Sequence, residues 1–246
     1  IGGGLLDHHI PGFNVCRPNG QKYASAGLVW REFGEKAIRN VMISKGLCID
    51  ATEIQDIKEQ IDTEIIIPVD MEDYGDFSNH TFSFVSKFLP CWFDNTPNYD
   101  EAFNNAVATV SSILEEIIKD KIVQIITNND LQNRYDYIND GIWEIPSQIM
   151  PWHEEVVRYN AHHDNEVKFM LYPYPAGGWA AECVPPSMEK RKEQLVPFPK
   201  EWAGGNEETL PKISGIPDAT FCHNDCFFIK AKTKQAVIEM CKIAMK

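Results

Sequence analysis

The stretch Leu5-Leu-Asp-His-His9 groups three potential metal ligands directly after residues 1–4, which predict the end of a strand and a glycine turn. In an extended segment, neighbouring side chains point to opposite faces. We therefore expect one histidine to bind a metal ion and the other to face a substrate or the protein interior. Asp7 would orient the ligand or join the metal shell. The alternative for this tripeptide is a loop with two ordinary histidines.

A second acidic cluster follows the run 65–69, whose β-branched residues predict either a buried strand or the continuation of a helix. Asp70 and Asp73 belong to this cluster, with Glu72 and Asp76 nearby. Carboxylates combined with imidazole suit Mn²⁺, Mg²⁺ or Zn²⁺ at a hydrolytic centre. The alternative for this cluster is a solvated acidic loop.

Two other histidine segments are weaker candidates. His162-His-Asp164 lies in a polar run that predicts a surface loop. Cys222-His223 with Cys226 offers three ligands, whereas structural zinc sites need four. We expect buried strand thiols there, and His223 remains a candidate for substrate contact. The sequence contains no zincin helix, nucleophile elbow or P-loop lysine motif.

Hydrophobic periodicity predicts a helical first half and a mixed second half. The predicted helices lie at 25–40, at a segment capped by Thr52, at 98–119 with Asn98 as its cap, at a following stretch to about 137 interrupted near Asn128, and at 233–245 with Thr233 as its cap. The predicted strands lie at 167–172, 178–184, 219–222 and 227–230. Asn139-Asp-Gly141 is the best linker candidate. We expect an α/β protein of two lobes, each α/β or α+β, that meet near residue 140.

Two of the predicted helices carry an apolar stripe that we expect to be buried. In 25–40 the stripe comprises Ala26, Leu28, Val29, Phe33, Ala37 and Ile38. In 98–119 it comprises Phe103, Val107, Val110, Ile113, Leu114 and Ile117.

Composition excludes several classes of protein. The 246 residues are 43% hydrophobic and 24% charged, which is too apolar for a disordered chain and enough for a sizeable core. Apolar runs fall well short of the roughly 20 residues that a membrane span needs. The net charge of −13 argues against a protein that coats duplex nucleic acid. Seven scattered cysteines without a CxxC motif or signal peptide predict reduced thiols in an intracellular compartment.

Short motifs follow one another in order along the whole chain. In the first half they are Leu6-Asp-His-His9, Gly12-Phe13, Ala24-Ser-Ala-Gly-Leu-Val-Trp30 and Phe33-Gly34. In the second half they are Leu171-Tyr-Pro173, Gly178-Trp179, Cys183-Val-Pro185, Pro197-Phe-Pro199, Glu201-Trp202, Ser214-Gly-Ile-Pro217 and Phe221-Cys-His223. The first set resembles the Asp-His-His phosphoesterase superfamily, and the second resembles, within it, the family of the melanocyte proliferating gene product. That family was once labelled a metal-dependent protein hydrolase and is now viewed as an RNA exonuclease.

The resemblance implies two domains and a metal site. An Asp-His-His phosphoesterase-like catalytic domain would occupy residues 1–138, and an α+β domain at 139–246 would close over it. By position, His8 is implied to be a metal ligand and Asp7 to support the metal shell. Asp73 stands where the family has its last metal aspartate, with Asp70 as the close alternative. The implied cofactor is Mn²⁺ or Mg²⁺, as two ions if upstream ligands are present.

The resemblance also implies substrate contacts. His9 would contact the scissile phosphate, and His223 matches the family's C-terminal histidine, which makes it a second phosphate contact. Arg191, Lys192 and Lys230 are candidates for neutralising charge that develops on the phosphate. The implied chemistry is in-line attack on phosphorus by a water whose pKa the metal ions lower.

The sequence departs from the family pattern at two places. The family has a histidine, further acidic ligands and an aspartate ahead of Asp-His-His, and none of them is in this sequence. Because His8 and Asp73 are too few ligands for two ions, we expect the sequence to be part of a longer chain. The family's C-terminal His-Ala-Ser-Gly-Phe is here His223-Asn-Asp-Cys-Phe227, which adds an acid near the substrate.

These features predict a divalent-metal-dependent phosphodiesterase, a 3′–5′ exonuclease on single-stranded RNA or short oligonucleotides. A catalytically inactive phosphate-ligand or RNA-binding module is one alternative, and a hydrolase of unknown substrate, as in the older label, is another. Metal ions make the local field positive, so the net charge favours single strands or small phosphoesters over duplex. We expect neither a membrane nor a duplex partner, and the sequence predicts no particular oligomeric state. The expected location is the cytoplasm, with the nucleus or mitochondrion as alternatives in a eukaryote.

Overall fold

The computed structural model describes residues 6–78, 83–91, 93 and 95–246, so the strand end and glycine turn predicted at 1–5 lie outside the described residues. The chain divides into two units, Ile1–Ile125 and Ile126–Lys246. The predicted boundary between residues 138 and 139 falls inside the second unit, and the two predicted domain ranges stay predictions. Helices dominate the described part of the first unit, and a six-stranded sheet lies in the second. The mixed α/β character is therefore confirmed.

In the described part of the first unit four α-helices begin: α1 (Ser25–Lys45), α2 (Ala51–Ile61), α3 (Ile67–Asp73) and α4 (Tyr99–Gln132). A capping box starts α2: the Asp50 side chain accepts from the Glu53 N–H, and the Glu53 carboxylate accepts from the Asp50 N–H. The prediction that Thr52 caps this helix is therefore wrong, because Thr52 lies inside its first turn. Two 3₁₀ segments in the chain's first 140 residues, Ser83–Phe88 and Tyr135–Tyr137, flank α4.

The β-branched run at 65–69 continues the helix and does not form a strand. A π turn, Asp62–Ile66, links α2 directly to α3. Pro68 is the second residue of α3 and has no N–H to continue an α-helical ladder, so the wider turn precedes it. Ile66 and Ile67 are buried, and the extended helix carries Asp70 and Asp73 on its last turns.

The predicted helix at 98–119 is longer than expected. Asn98 accepts from the Glu101 N–H, which confirms Asn98 as the cap. The expected interruption near Asn128 is wrong, because α4 continues to Gln132.

The predicted apolar stripes are buried in part. In α1, Leu28 and Ile38 belong to the core, whereas Val29 and Phe33 are 45% and 48% exposed. In α4, Phe103 is 68% exposed. Val107 and Ile113 are also among the exposed apolar residues. Each of these helices has more apolar residues than its buried face can hold. The stripe predicted from hydrophobic periodicity is therefore wider than the face that is buried.

The second unit contains one mixed sheet with the strand order β1-β2-β3-β4-β6-β5. Its strands are β1 (Ile138–Asn139), β2 (Ile142–Glu144), β3 (Phe169–Pro173), β4 (Trp179–Cys183), β5 (Ala219–Cys222) and β6 (Phe228–Ala231). Its helices are α5 (His153–His162), α6 (Leu210–Ser214) and α7 (Lys234–Ala244), with a 3₁₀ turn at Lys200–Trp202. Strands β2 and β3 run parallel, and the other neighbouring pairs are antiparallel.

Both faces of this sheet are covered, because successive strand residues point to opposite sides. Phe169 and Leu171 of β3 pack in one cluster with Met240 of α7. Met170 and Tyr172, the residues between and beyond them, pack in a second cluster that also holds Trp152, Val156 and their neighbours from the α5 region. The apolar run of β3 therefore reflects burial on two sides.

Three local predictions in this unit have clear outcomes. Asn139-Asp-Gly141 contains the turn between β1 and β2, where Asp140 and Gly141 both have positive φ, as a two-residue hairpin requires. The side chain of Thr233 accepts from the Ala236 N–H, which confirms it as the cap of α7. His162 ends α5, a helix that the sequence prediction missed. No helix among the described residues of the chain is long and apolar enough to cross a membrane.

Candidate functional site

The three potential metal ligands of the tripeptide Asp7-His8-His9 lie together. One ligand atom each from Asp7, His8 and His9 can be chosen so that all lie within 4.8 Å of one another. The ring centroids of His8 and His9 are 3.9 Å apart. The prediction that these rings point to opposite faces is wrong, because the backbone bends at His8 and Ile10 and is not extended. Both histidines can therefore face one ion.

His8 is held from two sides. Its Nε2 lies 3.1 Å from Asp73 Oδ2, and its Nδ1 lies 2.9 Å from the hydroxyl of Ser25, the first residue of α1. Two ligand atoms at 2.0–2.1 Å from one ion lie about 3 Å apart in an octahedral shell, so His8 and Asp73 are spaced as neighbouring ligands. The ring of Tyr74 stands edge-on to His8 at 5.5 Å, and its hydroxyl donates to the Tyr23 carbonyl.

Asp7 fixes the orientation of His9. Its Oδ1 lies 2.9 Å from both the backbone N and the ring Nδ1 of His9. The His9 backbone N–H, and after it the His9 ring, hold the pKa of the Asp7 carboxyl below its usual range. The His9 side chain is 59% exposed, which is the arrangement a substrate contact needs.

Asp70, the alternative metal aspartate, is committed to a different network. It is 1% exposed, its Oδ2 lies 2.8 Å from Arg17 Nη1, and its Oδ1 accepts from the Gly27 N–H. Arg17 also binds Asp62 through Nε and Nη2, each at 2.8 Å. A Cβ on Gly27 would lie 2.0 Å from Asp70 Oδ2, so the network needs glycine there. Among the described residues the Asp7–His8–His9 group includes neither Asp70 nor Asp73, but Asp73 contacts His8 Nε2 at 3.1 Å whereas Asp70 is bound to Arg17.

Glu72 adds a carboxylate to the candidate site, whereas the sequence prediction names it as a residue near Asp70 and Asp73. With Asp70 and Asp73 it lines a cavity of about 440 Å³. Its Oε1 is buried and has no hydrogen-bond partner among the residues that the structure describes. A buried carboxylate oxygen without a donor is costly, and a bound cation would remove that cost.

Sequence reasoning missed Ser25 and Arg17. Each acts on a residue at least 17 positions away, His8 and Asp70 respectively, and such contacts carry no local signal. Ser25 did fall within the motif Ala24-Ser-Ala-Gly-Leu-Val-Trp30, which also contains Gly27. That motif was the available signal.

The other predicted substrate residues, besides His9, lie in the second unit. His223 sits in the turn between β5 and β6, where its Nδ1 accepts from the Asp225 N–H and its ring packs on Phe227. Lys230 of β6 lies over the Tyr174 ring at 4.6 Å. The structure brings Arg191 and Lys192 to one polar cavity, and His223 and Lys230 are not in its lining.

The same cavity contains a partly buried histidine. His153, at the start of α5, has its Nε2 3.8 Å from Glu182 Oε1, and Tyr172 donates to Glu182 Oε2 at 3.0 Å. Burial, and after it the charge of Arg191, lowers the pKa of His153 to about 4. Burial raises the pKa of Glu182.

Stability should therefore depend on His153 below neutral pH. As pH falls below 6.5, His153 becomes protonated in the unfolded chain, whereas in the folded protein it stays neutral until about pH 4. Protonation therefore favours the unfolded chain, and the free energy of unfolding falls. This contribution is about 2 kcal/mol between pH 6.5 and 5, and Glu182 opposes part of it because the folded carboxyl takes up its proton early. Urea unfolding of wild type and His153→Gln should show the smaller pH dependence in the variant. His162→Gln, at the exposed end of the same helix, should keep the wild-type dependence, and equal slopes for all three proteins would contradict the prediction.

Comparison with known proteins gives one consistent result. The family model MYG1_exonuc, described as "Uncharacterised protein family (UPF0160)", matches residues 4–245. The MYG1 protein YER156C of Saccharomyces cerevisiae is 22% identical over 98% of this chain and 78% of its own length. The MYG1 exonuclease of Rattus norvegicus is 24% identical over 97% of this chain and 68% of its own, and that of Homo sapiens is 22% identical over 97% and 69%. No solved structure matches.

Proposed function

Because the chain belongs to the MYG1 family, whose model covers residues 4–245, we propose that it is a divalent-metal-dependent phosphodiesterase, a 3′–5′ exonuclease on single-stranded RNA or short oligonucleotides. Relatives named MYG1 exonuclease support a hydrolytic, nuclease-type function. The observation that carries the metal dependence is the grouping of Asp7, His8 and His9, with Asp73 against His8.

The donor set fits a hard divalent cation. Asp7, His8 and Asp73 would hold an ion, and the unpartnered Oε1 of Glu72 adds negative charge nearby. Carboxylate oxygens with an imidazole suit Mn²⁺ or Mg²⁺. Such an ion, when bound, lowers the pKa of a water and withdraws charge from a phosphate.

The remaining residues orient the site. Ser25 fixes the His8 ring, because its hydroxyl lies 2.9 Å from His8 Nδ1 and its backbone N–H donates to the same nitrogen, so Nε2 is the ring nitrogen that faces Asp73. Asp7 holds Nδ1 of His9, so Nε2 is the ring nitrogen left to face a phosphate. In this proposal His223, Arg191, Lys192 and Lys230 of the second unit are substrate contacts.

Loss of the Ser25 hydroxyl should weaken catalysis without abolishing it. Ser25→Ala removes the hydroxyl that contacts His8 Nδ1, and outer partners of metal ligands typically contribute about 10- to 100-fold in affinity or activity. Initial rates of RNA cleavage over a Mn²⁺ titration would measure the effect. Ser44→Ala, near the other end of α1, is the matched control and should match wild type. A Ser25→Ala protein with an unchanged Mn²⁺ dependence would count against this role.

Charge and thiol chemistry support the rest of the proposal. With a net charge of −13, the chain suits short single strands whose phosphates meet a metal ion better than long duplex. Four of the cysteines, Cys183, Cys222, Cys226 and Cys241, are buried, and burial raises the pKa of Cys222 to about 12. Protected thiols are in keeping with the proposed reducing compartment, the cytoplasm or, in a eukaryote, the nucleus or mitochondrion.

The test is cleavage of end-labelled RNA by the full-length protein. With Mn²⁺ or Mg²⁺, a 5′-labelled single strand should shorten progressively, a 3′-labelled strand should release labelled mononucleotide at once, and EDTA should stop both. Bound metal per chain is measured in parallel. Binding of RNA without cleavage, in protein that holds no Mn²⁺, would instead favour the inactive RNA-binding alternative. Peptide hydrolysis without RNA cleavage would favour the older label.

A further inference from the structure

The second unit contains a polar cavity of about 780 Å³. Its lining includes His153, Glu182, Arg191, Lys192, Asp225 and Phe227. We propose that this cavity binds a nucleoside monophosphate, with the phosphate on Arg191 and Lys192 and the base edge on Glu182. The choice of a nucleotide among anionic ligands rests on the proposed nuclease function, whose product is a mononucleotide. The cavity volume lies within the range of small-molecule sites, about 300–1,000 Å³.

Glu182 supplies the base contact. Its side chain is 23% exposed, and its Oε2 accepts from the Tyr172 hydroxyl at 3.0 Å. Its Oε1 lies 3.8 Å from His153 Nε2, which is beyond hydrogen-bond distance, so this oxygen can still accept from a ligand. A carboxylate recognises base N–H donors, and guanine presents two adjacent ones on its Watson–Crick edge. We therefore expect a preference for guanine.

Arg191 and Lys192 supply the phosphate contact. The adjacent Lys190 lies 3.3 Å from Glu193, and in the part of the chain that the structure describes neither cavity cation has such an ion pair. Arg191 lies close enough to act on the pKa of both His153 and Glu182, so it can serve the same ligand as the carboxylate. A guanidinium binds phosphate through two parallel hydrogen bonds, and the neighbouring ammonium adds a point charge.

Phe227 completes the cavity with an aromatic surface. It precedes β6 and contacts the ring of His223 at a centroid distance of 4.5 Å. A base stacked on an aromatic ring gains about 1–3 kcal/mol in nucleic-acid complexes. The lining thus combines an anion site, a donor-recognising carboxylate and an aromatic face, which are the three parts that a nucleotide needs.

The experiment is calorimetric titration of the full-length protein in EDTA with GMP, UMP, guanosine and inorganic phosphate. GMP should bind most tightly. The Arg191→Ala/Lys192→Ala variant should weaken GMP binding at least about tenfold. Glu182→Gln should weaken GMP binding about tenfold and leave phosphate binding unchanged. Lys212→Ala, an exposed lysine outside the cavity, is the matched control and should bind GMP as wild type does.

The outcomes separate this inference from the proposed function. Absence of GMP binding, or inorganic phosphate binding as tightly as GMP, would overturn the nucleotide assignment even if RNA is cleaved. His8→Ala should retain GMP binding in EDTA, and its loss there would place the ligand away from the cavity. Retained GMP binding without metal-dependent cleavage by wild type would overturn the proposed function alone. Circular dichroism checks the fold of Glu182→Gln. If that variant does not fold, the Arg191→Ala/Lys192→Ala variant decides the test, because it changes exposed residues.

Discussion

His8→Ala is expected to abolish metal-dependent RNA cleavage. The imidazole contacts Ser25, Asp73 and the His9 ring, so its removal takes away the proposed metal ligand and opens the centre of the site. Because loss of an outer partner alone costs about 10- to 100-fold, loss of the ligand should lower kcat/KM by more than about a hundredfold. Cleavage of 5′-labelled RNA at saturating Mn²⁺ measures the effect.

The controls separate chemistry from folding. His162→Ala removes a histidine at the exposed end of α5 and should leave cleavage unchanged. Asp73→Asn should follow His8→Ala, because the carboxylate at 3.1 Å from Nε2 would share its ion. If His8→Ala cleaves RNA at the wild-type rate while its melting curve is normal, His8 is not a metal ligand.

Arg17→Leu should cause a large loss of stability in the first unit. The substitution would remove the ion pair between Arg17 and Asp70. The Asp70 carboxylate, which is 1% exposed, would keep the hydrogen bond from the Gly27 N–H. Removing one partner of a buried ion pair typically costs about 3–5 kcal/mol, because the other charge stays buried without compensation. Urea unfolding with at least two probes measures the free energy of unfolding.

Two comparison variants make that result interpretable. The double variant Arg17→Leu/Asp70→Asn also removes the buried charge at position 70. It should recover part of the lost free energy of unfolding, since that loss comes from the unpaired carboxylate. Arg39→Leu breaks an exposed i,i+4 pair with Glu35 and should cost less than about 1 kcal/mol. Equal losses for Arg17→Leu and Arg39→Leu would show that the buried pair contributes no more than a surface one.

Local signals predicted much of the secondary structure. Asn98 and Thr233 were found as helix caps because the capping side chain and the helix it starts are adjacent in sequence. The cap of α2 was misplaced at Thr52, although Asp50 with Glu53 three residues later is a capping-box pattern. The run at 65–69 stayed ambiguous because β-branched residues occur in both buried strands and buried helices.

Predictions failed where a residue's state depends on distant contacts. Helix α5 begins at His153 without a side-chain cap, so its start lacks the capping signal that marks α7, and the acidic first turn of Glu154 and Glu155 was the local signal that remained. In the candidate site, Asp7, His8 and His9 were identified from residue type and spacing. Ser25 and Arg17 were not, because their partners lie at least 17 positions away and meet them after folding.

The network of Arg17, Gly27 and Asp70 also restricts how this chain can change over generations. A side chain at position 27 would collide with the Asp70 carboxylate. An uncharged residue at position 17 would leave that carboxylate buried without its cation, and a residue shorter than aspartate at position 70 would remove one anion from Arg17. Each single replacement therefore gives a less stable protein, even where a combined replacement at these positions would pack well. The three positions form an epistatic unit, and the accessible route between two stable versions requires prior stabilising substitutions elsewhere in the chain.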